Sequence, residues 1–441
     1  MLRSMDAIAE RIAAAELLEG KGDFPAALAL LSALLQASPG HPAILLALAH
    51  LSEAMGAADG ALELIELARQ LAPDDPAPML RLGYALRRGM AYRRAASVAA
   101  ATILRHPDLA AAWTSHGISL YTDGDLGLAE RCFDRAVMLD PSDAIAQFSR
   151  ATCLLAAGRW AEGLSGFAWR RRLPDAVAAP AGLPAPRGGE RRLLIWNDQG
   201  LGDAIQFLRY VPLLRRRGVE PVLLLPPSLV RLARTMKGVG EVVSLGQPLP
   251  PVDAHMPLMD VPAFLGAGAI PADGPYLTAD PHEKLAALDG FKVGLVWAGA
   301  ARTGNFQAHA LDRRRSLDPA QLAPLLAVPG VSFVSLQLGA SLPGTFDAMT
   351  EIADFADTAA LVAALDLVIS VDTSVAHLAG ALGKPVWILS RYDGCWRWLR
   401  EREDSPWYPT ARLFRQAIPG DWAPVVAELA AALGAEVAAR L

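Results

Sequence analysis

An acid, two hydroxyl groups and a histidine lie within six residues of one another in the segment "LVISVDTSVAHLAGALGKPVW". The apolar run before Asp372 predicts a buried strand, and the small residues after Ser374 predict a helix that ends near Gly383. The first backbone N–H groups of a helix have no partner within it, so they form an anion site that suits a pyrophosphate. The hydroxyls of Thr373 and Ser374 add further donors to this site.

Asp372 and His377 each have two interpretations. A carboxylate repels phosphate, so Asp372 is expected to cap the helix or to accept hydrogen bonds from sugar or ribose hydroxyls. His377 falls on the first turn, where an imidazole can donate to a phosphate or to a leaving group. The alternative is a histidine that is satisfied in the interior, and the sequence leaves both readings of His377 open.

A second candidate loop lies upstream in "LLIWNDQGLGDAIQFLRYVPLL", which has the pattern of strand, glycine loop and helix. Gly200 and Gly202 allow tight turns and close approach of a ligand to the backbone. Ile205 occupies the third glycine position of a dinucleotide fingerprint, so that class of site is not indicated. Asp203 falls near the helix start, where the spacing alone favours a helix cap over a catalytic carboxylate.

Both loops belong to a region in which short apolar strands alternate with helices, which predicts parallel sheets covered on both faces. The pattern restarts once, so we expect two doubly wound halves at residues 191–285 and 290–441. Ligands of such sheets bind beyond the carboxyl ends of the strands, which places the site in a cleft between the halves. The last helix, around residues 421–440, is expected to cross back to the first half.

The first third of the chain is a repeat array with a period of 34 residues. Small residues keep this step at Ala27, Ala61, Ala95, Ala129 and Gly163. Three further columns share it: Pro39, Pro73, Pro107 and Pro141; Phe24, Ala58, Tyr92, Leu126 and Trp160; Gly22, Gly56, Gly124 and Gly158, with Met90 in the missing place. Each unit predicts two short helices, with about four full units and a degenerate fifth over residues 8–175. Residues 176–190 are rich in Pro, Gly and Ala and predict a linker.

Composition and charge disfavour several classes of function for this chain. The 441 residues carry a net charge of −5, which gives no basic field for nucleic acid. Three scattered cysteines lack metal-ligand spacing and favour a reducing, cytoplasmic compartment. The N-terminus lacks a signal-peptide core, and no apolar window is long enough for a membrane span, although peripheral membrane contact stays open. No D-x-D motif lies in the cleft loops, so neither a metal nor a cofactor is expected.

Two resemblances follow from these residues. The repeat array resembles the tetratricopeptide repeat, an α-solenoid whose groove usually binds peptide segments, although it could equally support or dimerise the neighbouring domain. "GLGDAIQFLRYVPLL" together with "DLVISVDTSVAHLAGALGKPVW" and "WRWLREREDSPWYPTARLFRQ" resembles the heptosyltransferase family of inverting glycosyltransferases. That resemblance covers residues 191–441 and implies a GT-B fold of two Rossmann-like domains, an N-terminal acceptor domain and a C-terminal donor domain.

The resemblance also implies roles for particular residues. The family's G-D motif places the general base at Asp203. The family's D-T-x-x-x-H segment binds the donor diphosphate, and it matches Asp372, Thr373, Ser374, Val375 and His377. A basic residue near the phosphates falls at Arg313 or Arg314. The family's acidic sugar-binding position falls at Gln337, a departure that disfavours a heptose donor.

The sequence therefore predicts an inverting, metal-independent transferase that uses a nucleotide-diphosphate sugar and a protein or glycan acceptor recruited by the repeats. A non-catalytic repeat scaffold and a nucleotide-sugar epimerase are the alternatives. Trp396, Trp398 and Trp407 are expected in the core rather than on a sugar, while Asp393 and Arg397 flank them and could reach the cleft.

Overall fold

The computed structural model describes residues 2–272, 274–300 and 306–440. The chain divides into two compact units. One contains the described residues up to Ser149 and those from Phe306 to Leu311, and the other contains Arg150–Ala300 and the described residues from Asp312 onward. The boundary falls inside the helix Ala144–Ala156, so the fifth predicted repeat lies mostly in the second unit.

The repeat region is built from helix pairs whose second helices begin 34 residues apart. Among the residues that the structure describes, the helices are α1 (Leu2–Gly20), α2 (Phe24–Ala37), α3 (Pro42–Ala54), α4 (Ala58–Leu71), α5 (Pro76–Arg88), α6 (Tyr92–Arg105), α7 (Ala110–Asp123), α8 (Leu126–Leu139), α9 (Ala144–Ala156) and α10 (Trp160–Gly166). The small residue of each second helix is buried, as at Ala61 and Ala95, which are both 0% exposed. A small side chain there lets neighbouring helices approach closely.

A left-handed residue separates the two helices of each pair. Gly22, Gly56, Gly124 and Gly158 have φ between 77° and 104°, a region that glycine enters without a Cβ clash. Met90 occupies the same position with φ 59°. The turn imposes this conformation on Met90, so the third repeat holds local strain that the glycine repeats avoid.

Within the second unit, α10 packs on later residues of the chain through aromatic side chains. The Trp160 ring lies 5.5 Å from Trp407 and 6.2 Å from Trp396. A 3₁₀ helix, Phe167–Arg172, follows α10 and carries the buried Arg170. The aromatic side chain that begins α10 thus packs on two tryptophans of the C-terminal segment.

The first sheet of the second unit is parallel, in the order β3-β2-β1-β4 within the described residues. Residues 176–190, the predicted linker, lead into it without a helix or strand. The elements are β1 (Arg192–Trp196), α11 (Leu201–Phe207), α12 (Val211–Arg216), β2 (Glu220–Leu225), α13 (Pro227–Ala233), β3 (Glu241–Ser244), β4 (Ala254–Pro257) and α14 (Val261–Phe264), with 3₁₀ turns at Leu208–Tyr210, Leu258–Asp260 and Glu283–Leu285.

The second sheet is also parallel, in the order β10-β9-β8-β5-β6-β7 over the part of the chain that the structure describes. Its elements are β5 (Phe291–Val296), α15 (Phe306–Arg315), α16 (Ala323–Leu326), β6 (Val331–Ser335), β7 (Phe346–Asp347), α17 (Phe355–Ala363), β8 (Leu367–Val371), α18 (Ser374–Ala381), β9 (Val386–Ser390), β10 (Ala411–Arg415) and α19 (Ala423–Ala438), with 3₁₀ turns at Pro319–Leu322 and Trp396–Trp398. The predicted fold class, repeats followed by an α/β region of GT-B type, is thereby confirmed.

The last helix contradicts one expectation. α19 buries Val425, Leu429 and Leu433 against Phe291 and Leu325 of the second sheet's own layer. It therefore packs on the C-terminal half, and the prediction that it crosses back to the first half is wrong. Its apolar stripe matches the nearer sheet, which leaves no driving force for a crossing.

The three tryptophans of the later segment lie in the core, as predicted. Trp396, Trp398 and Trp407 are 4%, 0% and 1% exposed. None of the helices among the described residues is long and apolar enough to cross a membrane.

Candidate active site

The glycine loop positions Asp203 on the first turn of α11. Gly200 is the residue that precedes the helix, and its N–H donates to Oδ2 of Asp203 at 3.0 Å. The carboxylate therefore makes the cap contact that the spacing favoured. This bond satisfies one of the free amides at the helix start and fixes the orientation of the side chain.

The other oxygen of Asp203 is paired with Arg397, which extends from the tryptophan-rich segment. The Nε of Arg397 donates to the Gln206 amide oxygen at 2.7 Å, and its Nη1 lies 3.1 Å from the Cys395 sulfur. Burial opposes the charge of Arg397, but the Asp203 carboxylate outweighs it and raises the pKa of the guanidinium. The side chain of Asp203 is 25% exposed and that of Arg397 is 9% exposed. Both carboxylate oxygens of Asp203 thus have protein partners, Gly200 and Arg397.

The start of α18 lies directly against α11. A Cβ built on Gly202 would stand 2.8 Å from Cδ2 of His377 and 3.3 Å from Cα of Ser374. Only glycine fits at this contact without a shift. The sequence predicted two loops that face each other across a cleft, and the structure instead brings the two helix starts together at Gly202.

Thr373 precedes the first turn of α18 and makes no side-chain cap bond. Its hydroxyl lies 3.0 Å from the hydroxyl of Ser370. Thr373 and Ser374 are half-buried, whereas Val375 is buried. The residues at the helix start are therefore partly accessible, and the Thr373 hydroxyl does not cap the first amides of α18.

His377 lies in the interior of the cluster. It is 4% exposed, stacks on Trp398 with ring centroids 5.2 Å apart, and shares a hydrogen bond of 3.0 Å with the Tyr408 hydroxyl. Its Nε2 is 3.9 Å from a carboxylate oxygen of Asp372. Burial lowers the pKa of His377 to about 4 even though Asp372 opposes the shift. The imidazole is therefore neutral near pH 7, and the position matches the interior reading that the sequence left open.

The basic residue that meets the strand end before α18 is Arg315, which the sequence reasoning missed. Its Nη1 donates to the Asp372 carbonyl at 2.7 Å, and its Nη2 pairs with Asp312 at 2.5 Å. Arg314 instead pairs with Asp393 at 3.3 Å, and Arg313 is exposed. The run of three arginines indicated a basic residue at this place, but the sequence could not show which of the three side chains turns toward Asp372.

Asp393 forms ion pairs with two arginines, Arg391 and Arg314, close to this strand end. Arg391 Nε donates to Asp393 at 2.8 Å, in addition to the contact with Arg314. Burial raises the pKa of Asp393, but the two arginines outweigh it and the result is a lowered pKa. Asp393 therefore neutralises arginines here, while Arg397, the other flanking residue, reaches Asp203.

Gln337 follows β6, half-buried, and its side-chain oxygen accepts from the Ala298 amide at 3.0 Å. Ala298 follows β5, so Gln337 joins the ends of two neighbouring strands. The structure places Gln337 at the predicted edge of the sheet, with its amide oxygen engaged by protein.

Comparison with known families agrees with the two predicted parts. Family models of the tetratricopeptide repeat match residues 18–82 and 114–176. The model of glycosyltransferase family 9 (heptosyltransferase) matches residues 349–390, which include Asp372 and His377. Asp203 and the glycine loop lie outside that match.

A curated relative is Protein FlbA of Caulobacter vibrioides, 31% identical over 347 residues. The alignment covers 66% of this chain and 56% of that protein, so the chain spans little more than half the length of this relative.

Two solved structures resemble part of the chain. TTC0263, a TPR protein of Thermus thermophilus, is 22% identical and covers 38% of this chain and 91% of its own, with a TM-score of 0.34. PilF of Pseudomonas aeruginosa is 14% identical and covers 48% of this chain and 86% of its own, with a TM-score of 0.35. With TM-scores this low, the assignment depends on the family matches and on the helices and sheets of this chain. The chain therefore contains tetratricopeptide repeats in its N-terminal part and, in its C-terminal part, a segment that matches glycosyltransferase family 9 (heptosyltransferase).

Proposed function

We propose that the chain is an inverting, metal-independent glycosyltransferase. It would move a sugar from a nucleotide-diphosphate sugar to a protein or glycan acceptor, and the repeats would recruit that acceptor or a partner. The family 9 match supports the transferase class, and the repeat matches support a recruiting role. The donor, the acceptor, the absence of a metal and a cytoplasmic location are parts of the proposal.

One observation carries the proposal: the helix start after β1 and the helix start after β8 meet at Gly202. Gly202 packs on Ser374 and His377, which supports the proposal that Asp203 and the segment from Asp372 to His377 serve one site. Both helices follow strands of parallel sheets, and ligands of such sheets bind at the carboxyl ends of strands. The contact therefore joins the predicted base to the predicted donor segment.

The proposed chemistry is a single displacement. Asp203 takes the proton of an acceptor hydroxyl, and the oxygen attacks the anomeric carbon opposite the leaving diphosphate, which inverts the configuration. The amides at the start of α18, with the hydroxyls of Thr373 and Ser374, stabilise the charge on the diphosphate. His377, neutral and buried, holds the helix start against Trp398 in this mechanism and contributes no positive charge.

The ion pair between Asp203 and Arg397 sets a condition on this mechanism. The guanidinium of Arg397 occupies one carboxylate oxygen of Asp203, so an acceptor hydroxyl can reach that oxygen only when Arg397 moves to another partner. The donor diphosphate is itself an anion, so it can replace Asp203 as the partner of the guanidinium. Asp203 would then become available as a base only after the donor has bound.

The same ion pair favours a second candidate function. If Arg397 stays on Asp203 in the presence of nucleotide sugars, the α/β unit is a non-catalytic partner of a repeat scaffold. The engaged side chain of Gln337 fits this alternative as well, because its oxygen is occupied by the Ala298 amide.

Turnover of nucleotide sugars distinguishes the two. The full chain is incubated with ADP-, UDP-, GDP- and CMP-sugars, and release of the nucleotide is measured with and without EDTA. We expect hydrolysis with at least one donor, unaffected by EDTA, and a drop of about 10²- to 10⁴-fold in the Asp203→Asn variant. Asparagine keeps the size of the side chain and can still accept from Gly200, so nucleotide binding by this variant is expected to persist.

Several results would contradict the proposal. Equal turnover by Asp203→Asn removes Asp203 from the base role. Loss of activity in EDTA, restored by a divalent cation, contradicts metal independence. Absence of both binding and turnover for all four nucleotide classes favours the scaffold.

A further inference from the structure

Arg170 joins two carboxylates at the carboxyl ends of neighbouring strands in the first sheet. It belongs to the 3₁₀ helix Phe167–Arg172, which follows α10, and its side chain is 3% exposed. Its Nε donates to Oδ2 of Asp198 at 2.7 Å, and its Nη1 donates to Oδ1 of Asp260 at 2.5 Å. Because Asp198 follows β1 and Asp260 follows β4, one guanidinium ties the ends of two paired strands together. Ligands of parallel sheets bind at this edge.

Asp198 depends on Arg170 for the stability of its charge. The side chain of Asp198 is buried, and Arg170 is the one cation that pairs with it among the residues that the structure describes. Burial raises the pKa of Asp198 even though the guanidinium opposes the shift. Without the guanidinium this carboxylate would be buried and unpaired, so either the loop that carries it moves or the carboxylate takes up a proton.

Asp198 lies in the glycine loop, which carries the proposed base. Two residues further on, the N–H of Gly200 donates to Oδ2 of Asp203 at 3.0 Å. The residues on either side of Asp198 are also bonded to each other, since the side-chain amide of Asn197 donates to the Gln199 carbonyl at 2.7 Å. A shift of Asp198 therefore moves a short, internally bonded loop, and the amide that orients Asp203 moves with it.

The same 3₁₀ helix also contacts the segment that holds Arg397. The Phe167 ring lies 5.8 Å from the Trp396 ring, and the guanidinium carbon of Arg397 lies 4.3 Å from that same tryptophan ring. Arg397 pairs with the other carboxylate oxygen of Asp203. Both groups that engage Asp203 are thus linked to this one 3₁₀ helix, the glycine loop through Arg170 and Arg397 through Trp396.

We propose that Arg170 is a positioning residue for sugar transfer: by holding Asp198, it fixes the glycine loop in the arrangement that orients Asp203. A residue that follows the last repeat helix thereby serves the base of the α/β region, in addition to any recruitment by the repeats. Arg170 acts through Asp198 and Asp203 and is not itself a catalytic residue. The inference rests on the proposed function, because it assigns Arg170 a part in that reaction.

Hydrolysis of the nucleotide sugar that the unmodified chain turns over tests this role on the full chain. The variant Arg170→Lys keeps the positive charge, but one ammonium group cannot reproduce the forked guanidinium that spans two carboxylates. We expect turnover per titrated nucleoside-diphosphate site to fall by about 10- to 100-fold, because a misplaced base reacts much more slowly. The affinity for the nucleoside diphosphate is expected to change by less than about twofold, since the hydrogen bonds of Arg170 go to Asp198, Asp260 and Phe167 and not to α18. Division by the number of titrated sites removes the effect of any unfolded protein.

The Asp203→Asn background separates positioning from a general loss of structure. If Arg170 acts through Asp203, Arg170→Lys lowers the residual turnover of Asp203→Asn by at most about twofold. A merely structural role would lower turnover by the same factor in both backgrounds. Arg172→Lys is the matched control, because Arg172 is exposed on the same 3₁₀ helix, with its guanidinium carbon 4.3 Å from the Trp169 ring. That variant is expected to turn over the nucleotide sugar as the unmodified chain does.

Undiminished turnover in Arg170→Lys, or an equal loss in both backgrounds, overturns the inference. If Arg170→Lys does not fold, Asp198→Asn decides by the same comparison, because asparagine keeps an oxygen for Arg170 and removes the charge. A loss confined to the chain with Asp203 supports the inference, and no loss or an equal loss refutes it. Absence of turnover in the unmodified chain contradicts the transferase proposal and this inference together. Turnover by the unmodified chain with an unaffected Arg170→Lys contradicts this inference alone.

Discussion

Replacement of Gly202 by alanine tests the contact that joins the two candidate motifs. The new Cβ would lie 2.8 Å from Cδ2 of His377, whereas carbon atoms pack at about 3.5–4.0 Å. His377 cannot rotate away, because Trp398 stacks on one side and Tyr408 holds its Nδ1. The start of α18 must therefore move outward by roughly 0.7–1.2 Å.

The expected cost is that of overpacking, about 1–3 kcal/mol, reduced by the small gain that alanine brings to a helix. Gly434→Ala is the matched control, because Gly434 lies inside α19 with nothing within 4 Å of the position of a Cβ. There alanine is expected to stabilise the chain by about 0.5–1 kcal/mol. The same substitution in the same unit is thus predicted to act with opposite sign.

Urea unfolding followed by tryptophan fluorescence measures both variants. Nine of the ten tryptophans lie in the second unit, all except Trp113, so the signal reports mainly on that unit. The double variant Gly202→Ala/His377→Ala is expected to recover part of the clash energy, with a coupling of about 0.5–3 kcal/mol. If Gly202→Ala is as stable as Gly434→Ala, the two helix starts are not in the close contact described. The two loops would then not form a single site.

Three further outcomes are expected. Met90→Gly should stabilise the repeats by about 0.5–1 kcal/mol, because glycine takes φ 59° without strain; urea unfolding measures this. Because the pKa of His377 is lowered from 6.5 to about 4, folding stability should fall as pH drops from about 6.5 to 4, by up to about 3 kcal/mol; His377→Asn should flatten this pH dependence. Arg170→Met should cost about 3–5 kcal/mol, since it strips the buried Asp198 of its partner at 2.7 Å, whereas Arg171→Met, 48% exposed, should cost less than about 1 kcal/mol.

Each of these three predictions has a result that would contradict it. A destabilised Met90→Gly would show that the turn does not strain Met90. An unchanged pH profile in His377→Asn would mean that the imidazole is not buried in its neutral form. Equal costs for Arg170→Met and Arg171→Met would contradict the burial of the ion pair between Arg170 and Asp198.

Local patterns predicted the elements well. The 34-residue period predicted two short helices in each repeat, and the structure shows that the column of Phe24 and Tyr92 is the first residue of each second helix. The strand, glycine and helix pattern around Gly200 gave β1 and α11, and the pattern around Val371 gave β8 and α18. These signals depend on neighbours in the chain, which a sequence displays directly.

Contacts between distant residues were the part that the sequence could not give. Arg397 was expected only near the cleft, and its pairing with Asp203 depends on how the tryptophan segment folds over α11. Arg315 was missed in favour of its two predecessors, because three adjacent arginines differ only in direction around a helix. The prediction that α19 crosses back to the first half was wrong for a related reason. An apolar face on a helix does not identify the surface against which it is buried.

The central claim is that the start of α18 is the donor diphosphate site, brought to Asp203 by Gly202. Amide hydrogen exchange of residues 373–376 in the full chain, with and without each nucleoside diphosphate, tests this most directly. The account predicts that at least one nucleoside diphosphate slows exchange there and leaves the exposed turns of the repeats unchanged. Exchange at residues 373–376 that no nucleotide alters, at concentrations that saturate binding elsewhere on the chain, would contradict it.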